Sequence, residues 1–234
     1  MPTQAAFPNK MLNLLLGLVL GGAMGGLMIV VAEVFDSGIR TAEDVERTLD
    51  TGLVSLVTQL APAKMGEAET PQDYLMDRPL SSFAESYRTL RSAIALHGGE
   101  DAGTKVVALT SAISGEGKTV SALSLGRVAA LSGDKVIVVD CDVRRRILSS
   151  QYDEEEVASG GLAEVLSGTT PLKAAVRVDE ASGLHVLPVA EDRSGTGDLF
   201  GTKRFEALLG KLRDKYDLVL LDTAPLTAVA DTRR

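Results

Sequence analysis

The stretch VVALTSAISGEGKT, residues 106–119, is the strongest indication of the fold in this sequence. A short apolar run, typical of a buried strand, leads into a loop with two glycines, and a helix-like segment follows at 120–131. Backbone N–H groups of such a loop and the positive end of the next helix can hold a polyphosphate. Lys118 would add a full charge near the terminal phosphates, and the Thr119 hydroxyl can ligate Mg2+. The pattern predicts a phosphate-binding loop, although Ala112 replaces its usual first glycine and an ordinary strand-turn-helix joint remains the alternative.

Length and composition limit the classes of protein that fit this loop. The 234 residues are enough for one globular domain and some additional chain. A net charge of -8 argues against nucleic acid as a partner, because phosphate backbones require a basic face. Cys141 is the only cysteine, which fits a reducing compartment. His185 lies inside an apolar run, and we expect it to be structural rather than catalytic.

The N-terminal part predicts a single transmembrane helix within a first region, residues 1–36. No charged side chain occurs over residues 11–32, and about 20 apolar residues span a bilayer as a helix. A cleavable signal peptide is the alternative, but its apolar part is typically only about 7–15 residues long. Glycines recur every fourth residue in this run, a spacing that lets two helices approach closely in lipid; they are Gly17, Gly21 and Gly25.

A second region, residues 37–80, is predicted to be a juxtamembrane segment and linker. A short helix capped by Thr41 should run to about Leu49, and residues 52–60 are apolar and strand-like. The composition of residues 61–78 is polar, and two prolines should break any regular pattern there. A further helix, capped by Ser81 or Ser82, should then open the nucleotide domain, residues 81–234.

Beyond the loop, strand-like and helix-like segments alternate. Apolar strands are predicted at 136–139, 184–189 and 218–221, with helices at 162–166 and 204–216 between them. Continuously apolar strands separated by helices are typical of a parallel sheet covered on both faces. The sequence therefore predicts an α/β fold of the P-loop NTPase type, with a mostly parallel sheet and one preceding transmembrane helix.

Acidic residues follow two of these strands directly. Asp140 and Asp142 follow the strand at 136–139, and Asp222 follows the strand at 218–221. Ligands of open parallel sheets bind beyond the carboxyl ends of the strands. Acids placed there, beside a phosphate loop, can hold Mg2+ and its waters or accept a proton from an attacking hydroxyl. Together with the loop they predict a site for ATP and Mg2+.

Taken together, these motifs resemble those of the bacterial tyrosine kinases of the exopolysaccharide co-polymerase type. The Walker A loop corresponds to residues 112–119, the Walker A′ motif D-x-D-x-R to 140–144, and the Walker B motif D-x-x-P to 222–225. The family motif E-x-x-R-x-x-R, which serves oligomer contacts, is matched by Glu85, Arg88 and Arg91. Without the resemblance, that helix would be interpreted as an ordinary solvated face with weak ion pairs.

The resemblance implies a role for each matched residue. Lys118 would neutralise the transferring phosphate, and Asp140 and Asp142 would act around the metal and the accepting tyrosine hydroxyl. Thr119, Asp140 and Asp222 would hold Mg2+. The reaction would transfer the γ-phosphate of ATP to tyrosines of a neighbouring subunit, in concert with the polysaccharide polymerisation and export machinery. The implied nucleotide contacts are Ser114, Gly115, Glu116, Gly117, Lys118, Thr119 and Arg144.

The resemblance also carries expectations about length and location. Family members usually begin with another transmembrane helix and an extracytoplasmic domain, and continue well beyond Walker B. The chain thus resembles a truncated form, in which the strand leading to the loop would be left as an exposed edge. Because ATP is cytoplasmic, the nucleotide domain should lie on the cytoplasmic side of a bacterial inner membrane.

Two alternatives to the kinase remain. One is a membrane-tethered ATPase switch of the partitioning and division-site class, which carries a lysine where Ile113 stands. The other is an inactive scaffold.

Overall fold

The fold is described by a computed structural model of the 234-residue chain, which forms two compact units, Met1–Leu53 and Val54–Arg234. The ranges that the structure describes are 9–35, 42–50, 52–66, 68–97, 105–143, 145–151, 160–189 and 199–227.

The first unit contains two helices, α1 (Lys10–Phe35) and α2 (Ala42–Leu49). α1 is long and apolar enough to cross a membrane, and none of its apolar window is buried within the protein. The predicted N-terminal helix is therefore confirmed as a helix. α2 carries Glu43 and Asp44 in its first turn, where acids stabilise the positive end of the helix dipole. The predicted cap Thr41 lies outside the described residues.

The beginning of the second unit differs from its sequence-based prediction. Residues 52–60 form no strand. The predicted irregular linker holds two short helices, α3 (Pro62–Met65) and α4 (Pro71–Asp77). Pro71 begins α4 rather than breaking it, because the fixed φ of proline suits the first turn and no N–H partner is needed there. Thr70 caps this helix by accepting a hydrogen bond from the Asp73 N–H, 3.2 Å long.

A five-stranded sheet forms the centre of the second unit, in the order β1-β5-β2-β4-β3. All neighbouring strands are parallel except β3, which runs antiparallel to β4. β1 lies at one edge of the sheet within the described part of the chain, as expected for the strand that leads to the loop. The strands are β1 (Lys105–Leu109), β2 (Val136–Asp140), β3 (Arg177–Val178), β4 (His185–Leu187) and β5 (Leu218–Asp222).

Helices cover both faces of the sheet, as the continuously apolar strands predicted. β2 and β5 are buried at every position, since each face meets its own apolar cluster. Val138 and Leu220 belong to the cluster beneath α5 (Ser82–His97) and α6 (Lys118–Leu131), while Val139 and Leu221 belong to the other. The second face is covered by α7 (Leu162–Ser167), α8 (Leu172–Ala175) and α9 (Lys203–Arg213).

The helix that follows the loop packs closely on the sheet at Gly126. A Cβ atom at this position would lie 2.9 Å from Cδ2 of Leu184 and 3.1 Å from Cγ2 of Val138. Both neighbours are fully buried, so neither can move without disturbing the core. Glycine at this position therefore sets the distance between α6 and the sheet.

This close approach predicts opposite effects for two helical glycines. Gly126→Ala should lower the free energy of unfolding by about 1–3 kcal/mol, because the added methyl group overpacks the core. Gly210→Ala, in α9 where a Cβ meets nothing within 4 Å, should instead raise it by about 0.5–1 kcal/mol. Denaturant unfolding of the two variants, followed by circular dichroism, measures both. Equal stabilisation by the two alanines would show that α6 is not held this closely to the sheet.

Candidate functional site

The register of the strands brings the predicted acids together at the carboxyl ends of β2 and β5. Asp222 at the end of β5 pairs with Asp140 at the end of β2 on one side and with Leu109 at the end of β1 on the other. Side chains alternate along a strand, so both acids face the same side as Val138 and Leu220, where α6 packs. The two acids and the start of α6 therefore occupy one corner of the fold.

A direct hydrogen bond joins the loop helix to this corner. The Thr119 hydroxyl, in the first turn of α6, donates to Oδ2 of Asp222 over 2.6 Å. Lys118 precedes it and is only 8% exposed. Its positive charge lowers the pKa of Asp222, although burial has the larger, opposite effect. Thr119 and Asp222 are thus joined directly, and Lys118 is close enough to Asp222 for its charge to act on that carboxyl.

Two glycines of the loop adopt backbone conformations that other residues rarely adopt. Gly115 and Gly117 have φ angles of +90° and +86°, which L side chains rarely adopt. Glu116 closes the loop on itself, because its Oε2 accepts hydrogen bonds from the N–H groups of Ala112, at 2.9 Å, and Ile113, at 3.3 Å. The predicted contact Ser114 is exposed within the same loop.

Asp140 is completely buried, and both of its oxygens accept hydrogen bonds. Oδ1 accepts from the N–H of Asp142 over 3.1 Å. Oδ2 accepts from the backbone N–H and the hydroxyl of Ser149, over 3.2 and 2.6 Å. Asp142 is also buried and accepts a 3.2 Å hydrogen bond from the N–H of Arg145. Asp140 is therefore held mainly by Ser149, and Asp142 by the turn that follows it. Arg144, predicted to support the nucleotide, lies outside the described residues.

The oxygen that is left open at this corner suits a divalent cation. Oδ1 of Asp222 is buried and has no hydrogen-bond partner within the described part of the chain. Among the same residues, no cluster of three or more His, Cys, Asp or Glu side chains is arranged to hold a metal by itself. Mg2+ does not need such a cluster, because it usually binds one or two carboxylates together with waters and phosphate oxygens. The donor set of Thr119, Asp140 and Asp222 fits that mode.

Burial strongly perturbs the titration of the two strand-end acids. Desolvation raises the pKa of Asp140 to about 7, with a smaller increase from the charge of Asp222, while hydrogen bonds from Ser149 and Asp142 oppose it. Desolvation also raises the pKa of Asp222 to about 6, against the hydrogen bond from Thr119 and the charge of Lys118. Ionising these acids without a cation nearby therefore costs free energy, which is typical of functional sites.

The E-x-x-R-x-x-R residues lie on α5. Arg88 pairs with Glu85 over 3.0 Å, and both side chains are substantially exposed. Arg91 instead makes two hydrogen bonds to Asp134, at 2.7 and 3.1 Å, which tie α5 to the turn before β2. In the described structure Arg91 is thus engaged within its own chain. The oligomer contacts remain a prediction.

Sequence reasoning missed Ser149, the residue that donates twice to Asp140. It stands nine positions after Asp140 in a stretch without regular periodicity, so no sequence pattern pointed to it.

A cavity of about 350 Å3 was also not predicted. It lies at the amino end of β4, the opposite end of that strand from the predicted site, where His185 hydrogen-bonds the Tyr216 hydroxyl over 2.8 Å. This hydrogen bond gives a ring nitrogen of His185 a partner within the fold, which agrees with a structural role for this histidine.

Fold and site together define a nucleotide-binding domain of the P-loop class, and comparison with known proteins assigns its family. The family model described as an AAA domain matches residues 104–232, and the chain belongs to this family. A putative tyrosine-protein kinase, EpsB of Ralstonia solanacearum, is 32% identical over 181 residues, which are 76% of this chain and 23% of the relative. Tyrosine-protein kinase YwqD of Bacillus subtilis is 33% identical over 158 residues, 68% of this chain and 65% of the relative.

Solved structures of kinase domains agree with this assignment. The BceF tyrosine kinase domain is 31% identical, with a TM-score of 0.69 over 83% of this chain and 80% of that domain. The kinase domain of Escherichia coli tyrosine kinase ETK is 26% identical, with a TM-score of 0.72 over 83% and 76%. The resemblance to bacterial tyrosine kinases is therefore confirmed. The chain spans about a quarter of EpsB and two thirds of YwqD, so the activities of the whole relatives come to it only as proposals.

The raised pKa of Asp222 predicts how stability depends on pH when no cation is bound. Its folded-state pKa lies above its usual value, so the folded protein binds more protons than the unfolded chain between about pH 4 and 7, and stability falls as pH rises through that window. Asp222→Asn removes this contribution. In EDTA at pH 8 it should raise the free energy of unfolding by on the order of 2 kcal/mol, and the gain should vanish near pH 4.

Denaturant unfolding at the two pH values measures this difference. Asp214→Asn, at an exposed position after α9, is the matched control and should change stability by less than about 0.5 kcal/mol at either pH. An Asp222→Asn variant that is no more stable than the parent at pH 8 would show that the buried carboxylate carries no electrostatic cost.

Proposed function

We propose that the protein is a membrane-anchored, ATP-dependent protein-tyrosine (auto)kinase that acts in exopolysaccharide polymerisation and export. The observation that carries this proposal is the convergence of the loop, Asp140 and Asp222 at one corner, with Thr119 bonded directly to Asp222. The kinase names and structures among its relatives support the same reaction class.

The residues of the corner would have different roles in phosphoryl transfer. The N–H groups of the loop and the start of α6 would bind the phosphates, and the buried ammonium of Lys118 would stabilise charge on the transferring group. Bound Mg2+ would neutralise the phosphate oxygens, and Thr119, Asp140 and Asp222 are the residues that would hold it.

The Walker A′ acids would act on the acceptor tyrosine. The tyrosine hydroxyl attacks the γ-phosphorus, the bond to the bridging oxygen of ADP breaks, and the phenolic proton passes to a carboxylate. Asp140 and the neighbouring Asp142, both buried at the end of β2, are the candidates for that base.

The anchor and the oligomer belong to the same proposal. α1 would span the bacterial inner membrane once, with the nucleotide domain on the cytoplasmic side where ATP is found. Tyrosines of a neighbouring subunit would be the acceptors in a homo-oligomer. Glu85 and Arg88 are the exposed candidates for contacts between subunits, and the four-residue glycine spacing in α1 offers a second contact in lipid.

A membrane-tethered ATPase switch is the second candidate, since it would use the same fold. That class carries an extra lysine early in its loop, where this chain has Ile113, a side chain that is 58% exposed and uncharged. The loop therefore favours the kinase. A scaffold without catalysis is the third candidate, which an activity measurement separates from the other two.

The kinase proposal predicts that the full chain, purified in detergent and incubated with Mg2+ and ATP labelled at the γ-phosphate, gains label on tyrosine. Lys118→Met should reduce the labelling rate by at least about 100-fold, because the transition-state charge loses its buried partner. Lys211→Met, at an exposed position of α9, is the matched control and should leave the rate unchanged.

The products distinguish the three candidates. Phosphotyrosine that depends on Lys118 supports the kinase. Release of inorganic phosphate without phosphotyrosine would replace it with the ATPase switch. Neither product from the parent chain would leave only the scaffold.

A further inference from the structure

Ser149 connects three parts of the fold at the edge of the proposed nucleotide site. It begins a short 3-10 helix, Ser149–Gln151, and its side chain is only 2% exposed. Both of its donors, the backbone N–H and the hydroxyl, point to Oδ2 of Asp140. The hydroxyl bond, at 2.6 Å, has the length typical of a hydroxyl bound to a charged carboxylate.

A second hydrogen bond fixes the direction in which the Ser149 hydroxyl points. Its oxygen accepts from the N–H of Val189, two residues beyond β4, over 2.8 Å. An N–H can only donate, so the single hydroxyl proton is directed to Asp140. Ser149 therefore connects the end of β4 to the acid at the end of β2.

The 3-10 helix is also held from the side of α4. Nε2 of Gln72 donates to Oε1 of Gln151 over 2.8 Å, and Gln72 is itself buried. α4 is fixed in turn to the loop helix, because Arg127 of α6 pairs with Asp73 over 2.9 Å. The turn that carries Ser149 is thus supported by both α4 and β4.

We propose that Ser149 is a positioning residue for divalent-cation binding at this site. It supplies two of the three hydrogen bonds that fix the carboxylate of Asp140, the third coming from the N–H of Asp142. With Ser149 in place, Asp140 presents one orientation to the cation that it shares with Thr119 and Asp222. This inference rests on the proposed function, because it concerns the cation of the same site.

Loss of the hydroxyl should act on cation binding rather than on the phosphate loop. Ser149→Ala leaves Asp140 with only backbone donors and leaves the N–H of Val189 without its acceptor. The loop and Lys118 make no contact with Ser149 among the described hydrogen bonds. Residues that orient metal-binding groups typically contribute about 10- to 100-fold to metal affinity.

The test measures ADP binding to the full chain in detergent by isothermal titration calorimetry, once with Mg2+ and once with EDTA. Ser149→Ala should reduce the Mg2+-dependent gain in ADP affinity by about 10- to 100-fold, while affinity in EDTA stays within roughly twofold of the parent. Ser150→Ala is the matched control, because Ser150 is exposed in the same 3-10 helix and its hydroxyl donates to the carbonyl of Ile147. It should behave as the parent does.

A double-mutant cycle shows whether Ser149 acts through Asp140. In an Asp140→Asn background, Ser149→Ala should cause no further loss of the Mg2+-dependent gain, since the group that it orients is already changed. If the alanine variant does not fold, Ser149→Cys keeps the shape of the side chain, at a slightly larger volume, with a weaker donor, and it should reduce the same gain.

Two results would overturn the inference alone: an unchanged Mg2+-dependent gain in a folded Ser149 variant, or an equal loss of ADP affinity with and without Mg2+, which would indicate a merely structural role. Failure of the parent chain to bind ADP under either condition would instead overturn the proposed function on which the inference rests.

Discussion

The hydrogen bond from the Thr119 hydroxyl to Asp222 joins the two elements on which the site depends. Thr119 lies in the first turn of the helix after the loop, and Asp222 is the last residue of β5. The register of β5 with β2 then places Asp140 beside Asp222. The length of one helix turn and the pairing of two strands are therefore sufficient to bring groups more than a hundred positions apart along the chain to one corner.

This arrangement costs stability in the absence of a cation. Asp140 and Asp222 are both buried, and burial raises the pKa of each carboxyl. A fold under no functional constraint would replace such acids with apolar residues, which fill the space without a desolvation penalty. Their presence at two adjacent strand ends is consistent with the proposed cation site, since functional sites commonly lower the stability of a fold.

The sequence predicted the elements whose patterns are local. The loop, the buried strands and their terminal acids were located because an apolar run followed by a glycine or an acid is a short, self-contained signal. The parallel arrangement followed from strands that are apolar on both faces, as β2 and β5 are. The expectation that the strand leading to the loop lies at a sheet edge was also confirmed within the described chain.

Features set by tertiary contacts were missed. Residues 52–60 have a strand-like composition, but they pair in no sheet. Within them, the Ser55 hydroxyl donates to the carbonyl of Ser86 in α5, and the Ser86 hydroxyl donates to the carbonyl of Leu56. The prediction that Pro71 breaks regular structure was wrong, because a proline starts a helix when the residues after it can form one. Ser149 is bonded to Asp140, nine positions before it, and to Val189, forty positions after it, and Asp134 is bonded to Arg91, forty-three positions before it. Contacts at such separations leave no periodic signal in the sequence.

We infer that the loop, β2 and β5 build one cation and phosphate site. Crystals of the protein grown with Mn2+ and a non-hydrolysable ATP analogue would locate the cation through the anomalous scattering of manganese. We expect a manganese peak within bonding distance of the Thr119 hydroxyl oxygen, next to Asp222, with the terminal phosphate beside Lys118. A peak elsewhere on the protein, or a nucleotide bound away from the loop, would contradict it.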